Sequence, residues 1–330
     1  MTSRTGEPAG MASTASIPAS SSPVPLMRSR QIPHPERALA RGELVLVRRG
    51  VYAPAPAWRD SSPWDRYLAR VHATALVYPD AVFCHDSAAA LHGLPVFGDP
   101  GIVHVLQDPA ITTGTIAGVR IHASAVPREV SDLDAVAVTS PAETAVDIAR
   151  TRQPALALSV ADAVLRLDPR MTVERLVAVN ESRASSRGRR QARWPLQRAT
   201  PLAESTLESI SRAAVEWLGY PEPELQHWFT SASGERDRAD MWWPGARVVG
   251  EADGDLKYDG RFGDPLLLLR ARRRRDARLR EHVRGVAHWA WDEVVAFPAL
   301  RGILSGAGLR RIRPEDTARL LELRRALTAP

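Results

Sequence analysis

The second half of the chain has an order of helix and strand signals that few folds satisfy. Glu204 to Leu218 has apolar residues at helical spacing, and Gly219 follows. Three short strand-like runs come next, at 224–230, 237–243 and 246–252, separated by turn sequences. A long arginine-rich helix is predicted at 265–284 and an aromatic strand at 286–291. The order α-β-β-β-α-β predicts an antiparallel meander with a helix before it and a helix and a strand after it.

The remaining segments have different compositions and predict a mixed α/β (α+β) chain of several parts. Residues 1–27 are rich in Ser, Ala, Pro and Thr without periodicity, and we expect a disordered tail. A short helix and a β-hairpin at 28–56 predict a winged-helix-like segment that is truncated to its last helix and wing. Residues 57–182 predict an α/β domain, in which Ser140-Pro-Ala-Glu143 is a capping box. We expect a basic linker at 183–199, the α-β-β-β-α-β domain at 200–296 and helices at 297–330.

The charged residues are unevenly distributed along the chain. Lys and Arg total 44, and one of them, Lys257, is lysine, which leaves 43 arginines against 38 acidic residues and a net charge of +6. The sequence pI of about 10.1 favours nucleic acid as a partner. Six arginines and no acid lie within 183–198, whereas 51–150 has six arginines and eleven acids and is not expected to contact phosphates.

The sequence also predicts where the protein resides. Cys84 is the single cysteine, which excludes an intrachain disulfide and a cysteine-rich zinc site. No apolar run reaches the length that spans a bilayer, and the N-terminus lacks a secretory pattern. These features predict a cytoplasmic protein without membrane contact.

Two acidic residues on neighbouring strands predict a metal site. If Pro244-Gly245 is a two-residue turn, Asp240 faces Val249, and Glu251 is its diagonal neighbour on the same face, roughly 7 to 8 Å away. A pair of carboxylates suits Mg²⁺, with Mn²⁺ as an alternative. Glu208 on the preceding helix is a third candidate carboxylate. Solvent-facing strand or helix positions are the alternative for each of them.

Lys257 is the candidate cation of this site. Phosphodiester hydrolysis requires an activated water and a positive group beside the scissile phosphate. Lys257 lies six residues after Glu251, and lysine can lose its proton when it is buried, which arginine cannot. The alternative is a lysine that carries no special role.

Five short blocks from Glu204 onward occur in a recognisable order. They are Glu204-Ser-Thr-Leu-Glu208 with Arg212, then Gly219, Pro223 and Gln226, then Arg238-Ala-Asp240-Met-Trp-Trp-Pro244, then Val248-Val-Gly-Glu251-Ala-Asp253-Gly254, then Lys257-Tyr258. This pattern resembles the Vsr-like branch of the restriction-endonuclease-like, PD-(D/E)XK, superfamily over about residues 200–296. The resemblance implies a metal-dependent nuclease core, with Asp240 and Glu251 as metal ligands, Glu208 as the helix carboxylate, and Asp253 and Lys257 lining the site. Asp253 stands where the family's lysine is expected, and Ala287-His288-Trp289 replaces an arginine in the last strand.

The first half carries a second resemblance. Arg48-Arg-Gly-Val-Tyr52, His85-Asp-Ser-Ala-Ala-Ala-Leu-His-Gly93 and Ser140-Pro-Ala-Glu-Thr-Ala145 are similar to the AbiEi-type antitoxin proteins. That resemblance implies a winged-helix DNA-binding segment joined to an α/β domain, and a toxin as a possible partner protein.

Arginines in three places are candidate DNA contacts. They lie in the hairpin, in the 183–198 segment and in the arginine-rich helix: Arg48, Arg49, Arg189, Arg190, Arg193, Arg272, Arg273, Arg274, Arg275 and Arg278. We expect them to hold the DNA backbone with little sequence selectivity, although a solvated helix face is the alternative. His85, His92 and His288 lack metal-ligand spacing and are expected to be structural, and Trp242, Trp243, Trp289 and Trp291 are expected to build the small sheet's core and rim.

Three functions follow from these observations. The leading hypothesis is a DNA-binding protein whose nuclease-like domain hydrolyses phosphodiester bonds with Mg²⁺. The alternative is a non-catalytic antitoxin or transcriptional regulator in which a degenerate nuclease fold binds DNA or a partner. The third is a structural interaction module for a toxin.

Overall fold

The computed structural model describes residues 21–107, 113–253 and 265–328. These residues form thirteen α-helices and three β-sheets. The protein therefore has the mixed α/β class that the sequence predicts. None of the described helices is both long and apolar enough to cross a membrane.

The first sheet is small and lies at the start of the described chain. Its strands are β1 (Met27–Arg28), β2 (Leu44–Arg48) and β3 (Val51–Pro54), in the order β1-β3-β2. Helix α1 (Pro35–Ala40) is the one α-helix that the described residues contain before the β2–β3 hairpin. Helices α2 (Ala55–Asp60) and α3 (Pro63–Val77) follow the hairpin. A helix and a hairpin are thus present, and their assignment to a truncated winged-helix segment stays a prediction.

The second sheet has six strands and carries a group of helices. The strands are β4 (Val82–Phe83), β5 (Val103–Gln107), β6 (Gly114–Ile116), β7 (Val119–Ala123), β8 (Val130–Leu133) and β9 (Val136–Thr139). Their order is β6-β7-β5-β4-β9-β8, in which β5 and β7 are parallel neighbours. The helices are α4 (His85–Leu91), α5 (Pro141–Thr151), α6 (Pro154–Leu167), α7 (Val173–Ser182) and α8 (Arg189–Gln197).

Two of these helices bear on sequence predictions. The Ser140 hydroxyl accepts a hydrogen bond from the Glu143 backbone N–H at the start of α5, as the capping sequence predicts. The segment predicted to be a basic linker contains α8, whose Ala192 and Leu196 are fully buried. They pack in the same hydrophobic cluster as α5 and α6 side chains.

The third sheet has the element order that the sequence predicts. Helix α9 (Thr206–Trp217) precedes β10 (Glu224–Thr230), β11 (Arg236–Trp243) and β12 (Val248–Ala252), and α10 (Pro265–Leu279) connects to β13 (Gly285–Trp289). The strand order is β10-β11-β12-β13, with antiparallel pairs up to β12 and a parallel β12–β13 pair. Helices α11 (Trp291–Val295), α12 (Phe297–Gly306) and α13 (Thr317–Thr328) follow. Trp242, Trp243 and Trp289 are buried, which confirms their predicted place in the core.

The predicted register of the β11–β12 hairpin is wrong. Trp243 pairs with Val248 and Met241 pairs with Gly250, so four residues, 244–247, form the turn instead of two. Arg247 has φ of 54°, and its N–H donates to the Pro244 carbonyl, which closes the longer turn. Continuing this register places Asp240 directly opposite Glu251, nearer than the predicted diagonal position.

The second and third sheets belong to parts of the chain that share one hydrophobic core. Leu156 and Leu158 of α6 lie in the same buried cluster as Leu207 and Ile210 of α9. The buried Asp162 of α6 also receives a hydrogen bond from the Thr200 N–H, at 2.7 Å. Burial raises the Asp162 pKa to about 6, against the opposing charge of Arg212. This packing fixes the position of the third sheet relative to the helices of the second.

Candidate functional site

The predicted carboxylates meet on the α10 side of the third sheet. Asp240 of β11 and Glu251 of β12 are neighbours across the hairpin, and Asp240 accepts a hydrogen bond from the Ala252 N–H at 2.9 Å. Glu251 is 3% exposed. Asp253 follows at the end of β12, where its N–H donates to the Trp289 carbonyl. Lys257 lies outside the described residues.

Burial and mutual repulsion make this pair resist ionisation. Burial, together with the negative charge of Glu208, raises the Asp240 pKa to about 6. Burial raises the Glu251 pKa to about 8, with a further contribution from Asp240, while Arg275 opposes the rise. Two buried carboxylates with raised pKa values are typical of a site that binds a cation or transfers a proton.

An arginine already holds one of the two carboxylates. Arg275 of α10 donates from Nη1 to one Glu251 oxygen at 3.0 Å and from Nη2 to the other at 2.8 Å. Its Nη2 also donates to the Arg238 carbonyl at 2.6 Å. Bidentate pairing of this kind occupies both carboxylate oxygens. A metal ion would therefore compete with Arg275 for Glu251.

Glu208 has hydrogen-bond partners of its own. It lies in the first turn of α9, and one of its carboxylate oxygens accepts from the Glu204 N–H and from the Gln226 side chain, both at 2.9 Å. The Glu208 N–H donates to the Ser205 hydroxyl at 3.1 Å, so the pair is an N-terminal cap. These contacts give Glu208 a structural role, and its charge still reaches Asp240.

His288 takes the place at which an arginine was expected in the last strand. Its Nδ1 lies 2.8 Å from Asp253, and its Nε2 lies 3.1 Å from Asp276 of α10. Arg272 also contacts Asp253, at 3.1 Å. Asp253 therefore has a histidine and an arginine as partners. The sequence, in which Asp253 occupies the place of the family's lysine, does not indicate these two partners.

The arginine-rich helix has two faces with different partners. Arg272, Arg275 and Arg278 recur at every third residue and contact Asp253, Glu251 and Asp237 of the sheet. Arg273 and Arg274 are exposed on the other side. Neither DNA binding nor a solvated helix face, the two alternatives for these arginines, anticipated the contacts to the strands.

The other predicted DNA contacts also fall into two groups. Arg193 pairs with Glu181 at 2.9 Å, Arg189 donates to the Arg183 carbonyl, and Arg48 lies over the Tyr78 ring at 5.0 Å. Among the predicted DNA contacts, four arginines are exposed and form no ion pair with another described side chain: Arg49, Arg190, Arg273 and Arg274. These four are available to an external anion.

A second site, absent from the sequence predictions, lies beside the six-stranded sheet. A cleft of about 920 Å³ is lined by five arginines but by a single acid, Asp147; the arginines are Arg120, Arg128, Arg150, Arg183 and Arg187. Most of this lining belongs to residues 51–150, which have more acids than arginines. Composition alone therefore predicts no anion binding there. Two of the acids in this segment, Glu143 and Asp147, are instead buried against the cleft arginines.

The floor of the cleft is a buried ion network. Arg128 donates to Glu143 at 2.6 Å and to both Asp147 oxygens at 2.8 Å. Arg183 contacts the same two acids. Although burial alone would raise it, the pKa of Asp147 is held well below its ordinary value by the charges of His85, Arg128 and Arg183. The network fixes these side chains because each buried charge has partners.

Three histidines and the cysteine adjoin this network. His104 of β5 and His122 of β7 lie side by side, with Nδ1 of His104 at 2.9 Å from Nε2 of His122. The His85 ring stacks on His122 with centroids 4.0 Å apart. Burial first, and then the charge of His85, lower the pKa of His104 to about 4 and that of His122 to about 3. Burial raises the pKa of the Cys84 thiol.

The family match with known proteins covers this second site. Residues 81–196 match the family described as the AbiEi antitoxin C-terminal domain. Two uncharacterized proteins of Mycobacterium tuberculosis, from strains CDC 1551 and H37Rv, are each 35% identical over 173 residues, which is 52% of this chain and 62% of theirs. The chain thus spans less than two thirds of the length of these relatives. No solved structure matches significantly.

The matched stretch contains the cleft and its histidines and ends before the carboxylate cluster. The predicted resemblance to antitoxins is therefore supported for residues 81–196. The predicted resemblance of residues 200–296 to Vsr-like nucleases receives no support from these comparisons.

Proposed function

We propose that this protein is a non-catalytic DNA-binding regulator of the antitoxin type and acts in a toxin–antitoxin system. The match of residues 81–196 to an antitoxin domain carries this proposal. DNA is the proposed ligand of the exposed arginines, and a toxin is the proposed protein partner. Both assignments go beyond the match itself.

The state of the carboxylate cluster supports a binding role over a catalytic one. Glu251 has both oxygens on Arg275, and Asp253 lies between His288 and Arg272. The domain at 200–296 then serves as a scaffold that holds α10 against the sheet. This arrangement presents Arg273 and Arg274 outward, where they would contact DNA phosphates.

Salt-dependent DNA binding tests this proposal. Fluorescence anisotropy would compare a duplex from upstream of the protein's own gene with a random duplex of equal length. Each phosphate contact contributes about −0.9 to the slope of log K against log salt concentration. We expect Arg273→Gln with Arg274→Gln to reduce that slope by about 2 and to weaken binding to both duplexes.

The matched control removes the same charge elsewhere. Arg41→Gln with Arg170→Gln removes two exposed arginines that pair with Glu43 and Asp168 and lie outside the proposed contacts. This control is expected to leave the slope unchanged. An equal loss in both double variants would mean that net charge, and not these positions, determines binding.

A metal-dependent endonuclease is the second candidate function. The adjacent Asp240 and Glu251, with their raised pKa values, favour it because such a pair would bind Mg²⁺ or Mn²⁺ after Arg275 moves away. In this proposal Asp240 and Glu251 hold the metal, Glu208 and Asp253 assist, and Lys257 stabilises the phosphate. Plasmid nicking with Mg²⁺ or Mn²⁺ that is lost in Asp240→Ala and in Glu251→Ala would support it.

A further inference from the structure

We propose that Cys84, His85 and His122 form a binding site for a borderline-soft divalent metal ion such as Zn²⁺, opening into the arginine-lined cleft. One donor atom from each of the three residues lies within 4.8 Å of the other two. Among the described residues, this is the one set of three His, Cys, Asp or Glu side chains that converges so closely. A thiolate with two imidazoles is a donor set that zinc prefers over magnesium or calcium.

The backbone brings these three residues together from two elements. Cys84 and His85 lie where β4 runs into α4, and His122 lies on β7. His85 has φ of 53°, a left-handed conformation that is uncommon for a residue with a side chain. In this conformation the His85 ring stacks on His122, and His85 Nδ1 lies 3.3 Å from the Cys84 sulfur.

The separation of these donors fits a tetrahedral ion. Zinc binds sulfur at roughly 2.3 Å and nitrogen at roughly 2.0 to 2.1 Å, which places two ligands of a tetrahedron about 3.3 to 3.8 Å apart. The Cys84 sulfur and His85 Nδ1 are already separated by 3.3 Å. The three donor atoms lie within 4.8 Å of one another, and small side-chain rotations would bring them to the separations of a tetrahedral site.

Neighbouring carboxylates provide the outer contacts that metal-binding histidines commonly have. Nε2 of His122 lies 2.9 Å from Nδ1 of His104, whose Nε2 lies 3.9 Å from Asp86, so His122 can bind the ion through Nδ1 while its other nitrogen has an outer partner. Asp147 lies 3.5 Å from His85 Nδ1, the proposed donor atom itself, and adds negative charge beside the ion. Such carboxylates orient the imidazoles of metal sites. Arg128 and Arg152 hold Asp147 and Asp86 in place, so the outer contacts are fixed without the ion.

The site also has a route to solvent. Cys84 is fully buried, but His85 and His122 line the cleft, so an ion can enter there. Three protein ligands leave the fourth tetrahedral position directed at the cleft. An ion in this position would add positive charge to a cleft that already has five arginines, which makes a water or an anionic group the expected fourth ligand.

Cobalt titration of the full chain tests the proposal. The protein would carry no histidine tag and would be stripped with a chelator before Co²⁺ is added. We expect one equivalent of Co²⁺ to give visible bands of a tetrahedral ion and a near-ultraviolet thiolate-to-cobalt band, both removed by one equivalent of Zn²⁺. No thiolate-to-cobalt band at stoichiometric Co²⁺ would overturn the proposal.

Variants separate this site from adventitious binding. Cys84→Ala is expected to lose the thiolate band, and His122→Asn to weaken Co²⁺ affinity by about tenfold or more. His34→Ala and His227→Ala remove histidines outside the cleft and are expected to bind as the wild type does. Unchanged binding in Cys84→Ala or in His122→Asn would overturn the site.

A second measurement applies if Cys84→Ala does not fold. Circular dichroism would show the failure, and the rate at which the wild-type thiol reacts with an alkylating reagent would replace the variant. We expect one equivalent of Zn²⁺ to slow that reaction by about tenfold or more in the wild type and much less in His122→Asn. An alkylation rate that Zn²⁺ does not change would contradict the proposal.

Discussion

Replacing Asp240 by asparagine is expected to stabilise the protein at neutral and alkaline pH. The side chain is buried beside Glu251, and its ionised form is disfavoured by burial and by the Glu208 charge. Asparagine has nearly the same shape and keeps an oxygen that can accept the Ala252 N–H. The substitution therefore removes a buried charge while it retains the hydrogen bond.

The magnitude follows from the Asp240 pKa. Folding raises it from an ordinary value of 3.8 to about 6, a difference of about 2 units, and each unit corresponds to about 1.4 kcal/mol. Because the folded pKa is the higher one, the wild type has its full stability below about pH 4 and loses about 3 kcal/mol as the pH rises through 6. Asp240→Asn avoids that loss and also removes the repulsion that raises the Glu251 pKa.

Urea unfolding at pH 4.5 and at pH 8 would measure this effect, with Asp237→Asn as the matched control. Asp237 lies on the same strand, but hydrogen bonds from Arg278 and its charge lower the Asp237 pKa. Its contribution is present above the ordinary pKa and is lost as the pH falls, so Asp237→Asn is expected to destabilise the protein at pH 8. The two neighbouring substitutions thus have opposite expected signs.

The result that would refute this reasoning is a pH-independent effect of Asp240→Asn. A destabilisation at pH 8 would refute it as well, because the Asp240 charge would then be a stabilising one with an opposite charge nearby. A gain of about 3 kcal/mol at pH 8 that falls to about 1 kcal/mol at pH 4.5 would support it.

Two further substitutions test other parts of the structure. Arg128→Met leaves Asp147 with one fewer partner in a network whose side chains are 6% and 4% exposed, and about 3 kcal/mol or more of stability is expected to be lost in urea unfolding. A loss below about 1 kcal/mol would mean that the network is open to water. Gly250→Ala would place a Cβ 2.4 Å from a Trp289 ring carbon, so its melting temperature is expected to fall, while Gly245→Ala, which has open space, serves as the control.

Local sequence patterns were sufficient to predict most elements of the third sheet. Apolar periodicity located α9, and turn residues separated β10, β11 and β12 within one or two residues of their observed bounds. The β11–β12 register was missed because it depends on turn length, and Arg247 adopts a positive φ that its residue type does not indicate. The convergence of Asp240 and Glu251 was nevertheless anticipated, since a shift by two residues keeps both on one face.

The partners of the arginines were not predictable in the same way. Arg275 and Arg278 belong to a run that composition assigns to phosphate binding, yet they face acids on strands 24 and 41 residues away in sequence. Local pairing rules consider only neighbours three or four residues apart on a helix. Spacing along α10 could have separated the sheet-facing arginines from Arg273 and Arg274 once the sheet's acidic face was known.

The histidine cluster was missed for a related reason. The histidines of this cluster show no metal-ligand spacing along the sequence. His104 lies on β5 and His122 on β7, and these strands become parallel neighbours only through the order of the six-stranded sheet. Each of these strands contains a single histidine, so the strand sequences alone do not indicate that the two meet.

Binding and integrity of one duplex, measured in the same sample with Mg²⁺, test the proposed function most directly. Anisotropy would follow binding to DNA from upstream of the gene, and a denaturing gel would then show whether the strands are intact. The antitoxin-type proposal predicts saturable, salt-sensitive binding to DNA that remains uncut. Cleavage that disappears in Asp240→Ala and Glu251→Ala would contradict it and identify the carboxylate pair as a nuclease site.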